Sequence, residues 1–290
     1  MDGQADSADV QEKFCNADGV GHECIVMKNG ELRMENYGSV YILCEIDLLM
    51  VIAYSCSMHI PSEHDEQLRT LMRVFLAENA NINLSALRTE EACWYGNILD
   101  SVAFQELNCA EVMNEPGATL LDIGTGGGFP LLPLAILYPQ AQCTGLDSIG
   151  KKIAAITRIA KEAGIKNFLG IADRAEVLGQ KKKYREQYSM VTSRAVAPLN
   201  ILLEYCSPFV KTGGYVVVWK SLHIDDELKA SDEAQRALRC QLVTSHTYTL
   251  PGDFGSRQLL VFRKTGPLDK KYPREVGMAK REPIGGPAKV

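Results

Sequence analysis

The chain has 290 residues, 46% of them hydrophobic, with 36 acidic and 31 basic side chains and a net charge of −5. That apolar fraction can bury a substantial core, and the length suits one large domain or one domain with appendages. An acidic total would argue against a nucleic-acid binder, but it is unevenly spread. Residues 1 to 60 hold 10 acids and 3 bases, whereas residues 61 to 290 hold 26 acids and 28 bases.

Nine cysteines lie at scattered spacings with no Cys-x-x-Cys pair and no histidines at metal-like intervals, so reduced thiols and no metal site are expected. The first 20 residues are polar and acidic and carry no secretory pattern. The apolar stretch Val40 to Met58 is interrupted by Glu45 and Asp47. Its longest clean run, Leu48 to Tyr54, falls far short of the roughly 20 apolar residues a spanning helix needs. No membrane association and a cytoplasmic location are expected.

Residues 1–58 show no clear period and read as an extension of uncertain status. From Ser62, followed by Asp65 as in a capped start, apolar residues Leu68, Leu71, Met72, Phe75 and Leu76 recur at helical spacing. A second helix is predicted after Thr89, with Trp94, Ile98 and Val102 inward. Residues 59–115 thus form a helical N-terminal part. After Pro116-Gly117 the rhythm changes to alternation. Strands are predicted near 118–123, 142–147, 167–172, 188–193 and 214–220, and helices near 130–138, 150–163, 198–210 and 225–238. Two late strands, about 241–250 and 258–264, flank Pro251-Gly-Asp-Phe-Gly255 and are expected to pair antiparallel. Such alternation implies a largely parallel α/β sheet covered on both faces over residues 116–265. Residues 266–290 read as an extended basic tail.

The most informative segment is Leu120-Leu-Asp-Ile-Gly-Thr-Gly-Gly-Gly-Phe-Pro130. A short apolar strand ends in Asp122 and breaks into a loop with glycines at 124, 126, 127 and 128 before a helix. Glycines at that junction let backbone N–H groups approach a ligand. The dinucleotide fingerprint needs a further glycine where Phe129 stands, which argues against a nicotinamide oxidoreductase. In open parallel sheets ligands bind beyond the carboxyl ends of the strands. Asp147 ends the second strand, where an acid can bond both ribose hydroxyls or cap the next helix. Ala172-Asp-Arg-Ala-Glu176 follows the third strand, where backbone amides could meet an adenine edge. No P-loop, metal cluster or nucleophile–base pair is legible, so the catalytic residues are left open.

Asp122-Ile-Gly-Thr-Gly-Gly-Gly-Phe-Pro-Leu-Leu-Pro-Leu-Ala-Ile136 resembles the first motif of the RsmG family, also called GidB. Leu146-Asp-Ser-Ile-Gly-Lys-Lys152, Arg174-Ala-Glu176 and Ser193-Arg-Ala-Val-Ala-Pro-Leu199 resemble its next three motifs. Asn83-Leu84 and Ile98-Leu-Asp-Ser101 match its N-terminal part, and Lys271-Tyr-Pro-Arg274, Gly277 and Lys280-Arg281 its C-terminal signature. The likeness runs in order over about residues 60 to 284. It implies a class I S-adenosylmethionine-dependent methyltransferase, Rossmann-like, with a mostly parallel sheet and an antiparallel last strand. It implies methyl transfer to N7 of a guanosine in 16S ribosomal RNA, with the RNA or the small ribosomal subunit as partner and a monomer expected. Carried over by position, it implies cofactor contacts at Gly124, Phe129, Ala175, Glu176 and Arg194, joined by Gly126 of the same loop and Asp147 on the ribose argument. A site that tolerates a methylated, cationic base should hold negative or π-rich groups, for which Asp100 and Phe129 are candidates.

Residues 264 to 290 hold 7 bases against 3 acids, with Tyr272 among them. Phosphate contact plus stacking is therefore expected there, through Lys271, Arg274, Lys280 and Arg281. Two departures stand out. Gly96-Asn97 replaces the family's Arg-His, which keeps open a non-catalytic rRNA-binding protein, and Leu131 replaces a glycine. A class I methyltransferase acting on a small molecule or protein is the other alternative.

Overall fold

The computed structural model describes residues 60–286 and, before them, only strand segments between residues 13 and 43. The chain divides into two units, Met1–Ser57 and Met58–Val290.

In the first unit, β1 (Lys13–Phe14), β2 (Cys24–Lys28), β3 (Glu31–Asn36) and β4 (Ser39–Leu43) form an antiparallel sheet in that order. Lys28 pairs with Glu31 and Asn36 with Ser39, so two residues separate each pair of partners. In the sequence these are Asn29-Gly30 and Tyr37-Gly38. Asn-Gly between short β-prone runs is a hairpin signal, present here in a segment that shows no longer period. The stretch Val40–Met58 lies outside the described residues beyond Leu43.

The second unit opens with α1 (Ser62–Ile82), which buries Leu68, Leu71, Met72 and Phe75 on one face as the spacing predicts. Its start differs from expectation. Pro61 is the N-cap with no side-chain bond, Ser62 is already helical, and Asp65 pairs with Arg69 at 2.7 Å. Asn79 shapes the exit, its Oδ1 accepting from the N–H groups of Leu84 and Ser85. Thr89 caps α2 (Glu90–Cys93), accepting from Ala92 N–H at 3.1 Å. The same helical run then widens into a π-turn, Trp94–Leu99, before α3 (Asp100–Val102). Such bulges gather at functional sites, because they re-aim side chains without ending the helix.

The sheet comprises β5 (Thr119–Ile123), β6 (Gln142–Asp147), β7 (Phe168–Ala172), β8 (Tyr188–Arg194), β9 (Val210–Lys220), β10 (Cys240–Thr249) and β11 (Ser256–Lys264). Their spatial order is β10-β11-β9-β8-β5-β6-β7. The pairs β5–β6, β6–β7, β5–β8 and β8–β9 are parallel, and β11 lies antiparallel between β9 and β10. This is the largely parallel sheet that the alternation implied, in the class I arrangement that the family resemblance implied, with its order reversing at β5.

Between the strands run α4 (Leu131–Leu137), α5 (Gly150–Glu162), α6 (Ala175–Leu178), α7 (Leu199–Cys206), α8 (Asp225–Ala230) and α9 (Asp232–Ala237). One apolar layer packs α1, α4 and α5 on the sheet through Phe75, Leu131, Ile156 and Trp219. The other packs α7 through Leu121, Val191, Leu202 and Phe262. Each large side chain buried this way contributes roughly 1.5–3 kcal/mol. Residues 266–286 belong to the second layer. Leu268, Tyr272 and Ala279, the last in α10 (Met278–Arg281), are buried in it, so this segment is a packed strap and not the extended tail expected.

Candidate active site

The glycine loop leaves β5 where the strand order reverses. The N–H groups of Gly124 and Thr125 donate to Leu146 O at 2.8 and 3.1 Å, hanging the loop on the end of β6. Gly124 has φ +71°, and a Cβ there would lie 2.5 Å from Val196 Cγ2, so only glycine fits. At Gly126, φ is +51° but the nearest atom to an added Cβ is 3.7 Å away, so the loop opens to free space there. Leu131, in place of the family's glycine, is fully buried, and its Cδ2 would stand 3.0 Å from a Cβ on Gly145 of β6. A glycine on the neighbouring strand thus absorbs the larger side chain.

Two carboxylates flank this loop. Asp147 Oδ2 accepts from Gly126 N–H at 3.1 Å and Oδ1 from Ile149 N–H at 2.9 Å, so it clasps two loops together and caps no helix directly. Asp122 lies beneath, its Oδ1 accepting from the Thr192 hydroxyl at 2.8 Å. Burial pushes the Asp122 carboxyl up to about 7, against the pull of Thr192, Thr125 and Arg194, with Asp147 adding to the rise. Beside Asp147, the Ile149 side chain is 41% exposed, an apolar surface that the sequence reading missed. Its signal was available: an isoleucine directly after Asp147-Ser148 at a strand's carboxyl end.

Ala175 and Glu176 open α6 immediately after β7, as expected. The Glu176 side chain, however, is buried and accepts from Gly277 N–H at 3.0 Å, so it braces the C-terminal strap. Any ligand contact from this pair falls to the backbone and to Ala175.

Phe129 is buried edge-on against Phe75, with centroids 4.8 Å apart, and the Arg194 guanidinium stands 5.9 Å from its ring centre. Arg194, ending β8, reaches the π-turn. It donates to Gly96 O at 3.1 Å, to Asp100 Oδ2 at 2.6 Å and to Asn97 Oδ1 at 2.7 Å. Of the two departing positions, Asn97 supplies a side-chain acceptor for this cation, while Gly96 offers a main-chain carbonyl that any residue there would present. Asp100, fully buried, also accepts from the Tyr248 hydroxyl at 2.7 Å and lies 3.4 Å from Arg257 Nη1. Trp219 Nε1–H donates to its main-chain carbonyl at 2.8 Å. Burial and the Asp100 carboxylate both hold the Tyr248 phenol well above its ordinary range. Tyr248, Trp219 and Arg257 were not legible as site residues, for none sits in a motif.

Arg194, Trp219, Lys220 and Arg257 line a cavity of about 640 Å³ at the carboxyl ends of β8 and β9. Lys220 is paired with Glu227 at 2.5 Å and donates to Ala197 O at 3.0 Å. Gln258 pairs with Lys220 in the sheet, which brings Arg257 to this end of β11.

The four tail cations part company. Lys271, Lys280 and Arg281 are exposed. Arg274, expected to meet RNA, instead forms a two-pronged ion pair with Glu204, at 2.6 and 2.9 Å, and donates to Glu282 O, so it pins the strap to α7. Lys264 is likewise buried, donating to Ser207 O and Oγ at 2.8 Å each.

The family described as GidB, rRNA small subunit methyltransferase G, matches residues 64–255. The chain belongs to the GidB family. Curated relatives agree. The ribosomal RNA small subunit methyltransferase G of Alkaliphilus metalliredigens is 35% identical over 238 residues, which is 81% of this chain and 98% of that protein. The protein of the same name from Streptococcus pyogenes serotype M12 is 37% identical over 77% of this chain and 92% of its own length. Among solved structures, a 16S rRNA (adenine(1408)-N(1))-methyltransferase from Catenulisporales acidiphilia overlays with a TM-score of 0.44 at 13% identity, over 55% of this chain and 93% of that one. The GidB match spans the π-turn, the glycine loop and the Arg194 network, and it stops just short of Arg257 and the strap.

Proposed function

We propose that this protein transfers the methyl group of S-adenosylmethionine to N7 of a guanosine in 16S ribosomal RNA. It acts as a cytoplasmic monomer on the RNA or the small ribosomal subunit. The observation that carries the reading is the junction at Phe129 and Arg194, where the glycine loop meets a cation-lined cavity. Direct group transfer between two ligands requires donor and acceptor to be held side by side, and this junction sets the glycine loop beside the cavity.

The residues fit a nucleoside donor. An ionised carboxylate has about four acceptor positions. Asp147 uses two of them on loop amides, which leaves acceptor capacity for ribose hydroxyls. Gly126 leaves open space where a side chain would intrude, and the exposed Ile149 offers a flat apolar surface to an adenine. S-adenosylmethionine supplies an activated sulfonium methyl. Guanine N7 presents a lone pair. The protein therefore needs no general base, and its task is to align acceptor and donor in a dry site. Lys220 and Glu227 are already paired, and Asp100 is held by Arg194, so none of them is a free proton acceptor. Gly96 and Asn97 hold Arg194 in place, which favours a competent site over a binding-only relic.

Incubation with labelled S-adenosylmethionine and unmethylated 30S subunits or 16S RNA, followed by mapping of 7-methylguanosine, tests this directly. Label at one guanosine is expected and none on free guanosine. No label where a family relative works would sink the reading.

A further inference from the structure

The Asp100 network carries a binding assignment that rests on the rRNA reading above. Three cations line the cavity, Arg194, Lys220 and Arg257. Two carboxylates face them, Glu227 on Lys220 and the fully buried Asp100 on both arginines. One positive charge is left in excess in the cleft, whose protein walls focus its field on an anion. The excess lies at Arg257. Arg194 donates to three partners, whereas the Arg257 guanidinium makes no hydrogen bond among the described residues and its side chain is 34% exposed. Asp100 cannot turn away from it, because Tyr248 holds Oδ1 and Trp219 holds the main-chain carbonyl.

We propose that Arg257, oriented by the positioning residue Asp100, is a phosphate-binding subsite. It grips a phosphodiester of the RNA strand beside the target nucleoside. The planar guanidinium fork matches two phosphate oxygens, and only one of its Nη atoms stands near Asp100. A phosphodiester contact here predicts a preference for polymer over free guanosine, since a nucleoside lacks the group that Arg257 would hold.

The test compares wild type with R257Q, R257K and D100N. Affinity for unmethylated 16S RNA is measured across a salt series, cofactor affinity by calorimetry and folding by thermal melting. R257Q is expected to weaken RNA binding about tenfold and to reduce the slope of log affinity against log salt by about one. It should raise KM for RNA more than it lowers kcat and leave S-adenosylmethionine affinity unchanged. R257K should recover part of the loss, and D100N should shift the same readouts by less. If the wild type labels RNA and R257Q binds it with unchanged affinity and slope, the subsite is overturned alone. It is also overturned if R257Q loses cofactor affinity instead, which would mark the anion as the methionine carboxylate. A wild type that neither binds nor labels RNA overturns both this and the reading on which it rests.

Discussion

Arg194 Nη1 donates to the buried Asp100 carboxylate at 2.6 Å, joining the end of a sheet strand to the first turn after a π-bulge. The pair makes the N-terminal helical part a wall of the site. Breaking it is therefore expected to act on stability and turnover together. Arg194→Lys keeps the charge but cannot reach Gly96 O, Asp100 and Asn97 at once. A loss of about 1–3 kcal/mol in denaturant unfolding is expected, with at least a tenfold drop in methyl transfer. Unchanged turnover would show that the cation acts only in the fold.

The glycine loop separates folding from binding. Gly124→Ala places a Cβ 2.5 Å from Val196 at a positive φ, so a destabilisation of about 1–3 kcal/mol is expected on thermal melting. Gly126→Ala meets nothing closer than 3.7 Å. Its φ of +51° still strains an alanine backbone by about 1–2 kcal/mol, but with no clash to add, and it should lose more S-adenosylmethionine affinity by calorimetry than that strain explains, because its methyl enters the open side of the loop.

The strap makes a contrast between neighbouring cations. Arg274→Ala leaves Glu204, only 1% exposed, without its partner and should cost about 3 kcal/mol. Lys280→Ala and Arg281→Ala remove exposed charges and should leave stability within about 0.5 kcal/mol while weakening RNA binding. Equal effects of the three on RNA binding at matched stability would contradict the division of labour.

Asp122 should leave a signature in pH. Its carboxyl titrates near 7 in the fold and near 3.9 in an unfolded chain. Below about pH 4 both states are protonated and the group is neutral to stability. Between 4 and 7 the unfolded chain releases its proton first, so stability falls as pH rises, by on the order of 4 kcal/mol in all. Asp122→Asn should therefore match wild type near pH 4 and exceed it at pH 8 in denaturant midpoints. A variant less stable at pH 8 than at pH 4, relative to wild type, would reverse the argument.

The departure at Gly96 shows where family comparison alone misleads. Replacing Arg-His by Gly-Asn looks like a loss of two cations from an RNA-facing helix. In the structure a Cβ on Gly96 would lie 2.6 Å from Leu87 Cδ1 and 3.5 Å from Phe254, so the position is filled by packing. Asn97 is buried and turned toward Arg194. The same applies to the tail, where seven bases looked alike in sequence and two of them, Lys264 and Arg274, proved to be tied to the core and to Glu204.

What the sequence determined by itself is the class of the fold and the place of the glycine loop where the strand order reverses. Alternating strands and helices, the Asp122-to-Pro130 loop and Asp147 at a strand end are local patterns, set by backbone period and by the conformational freedom of glycine. What the tertiary structure alone decided is which polar groups answer one another. Asp100 meets Arg194 across 94 residues and Tyr248 across 148, and Arg274 meets Glu204 across 70. No spacing rule reaches so far. A buried charge must find its partner wherever the packing of the sheet brings one within hydrogen-bond distance, and that packing exists only once the strands are paired.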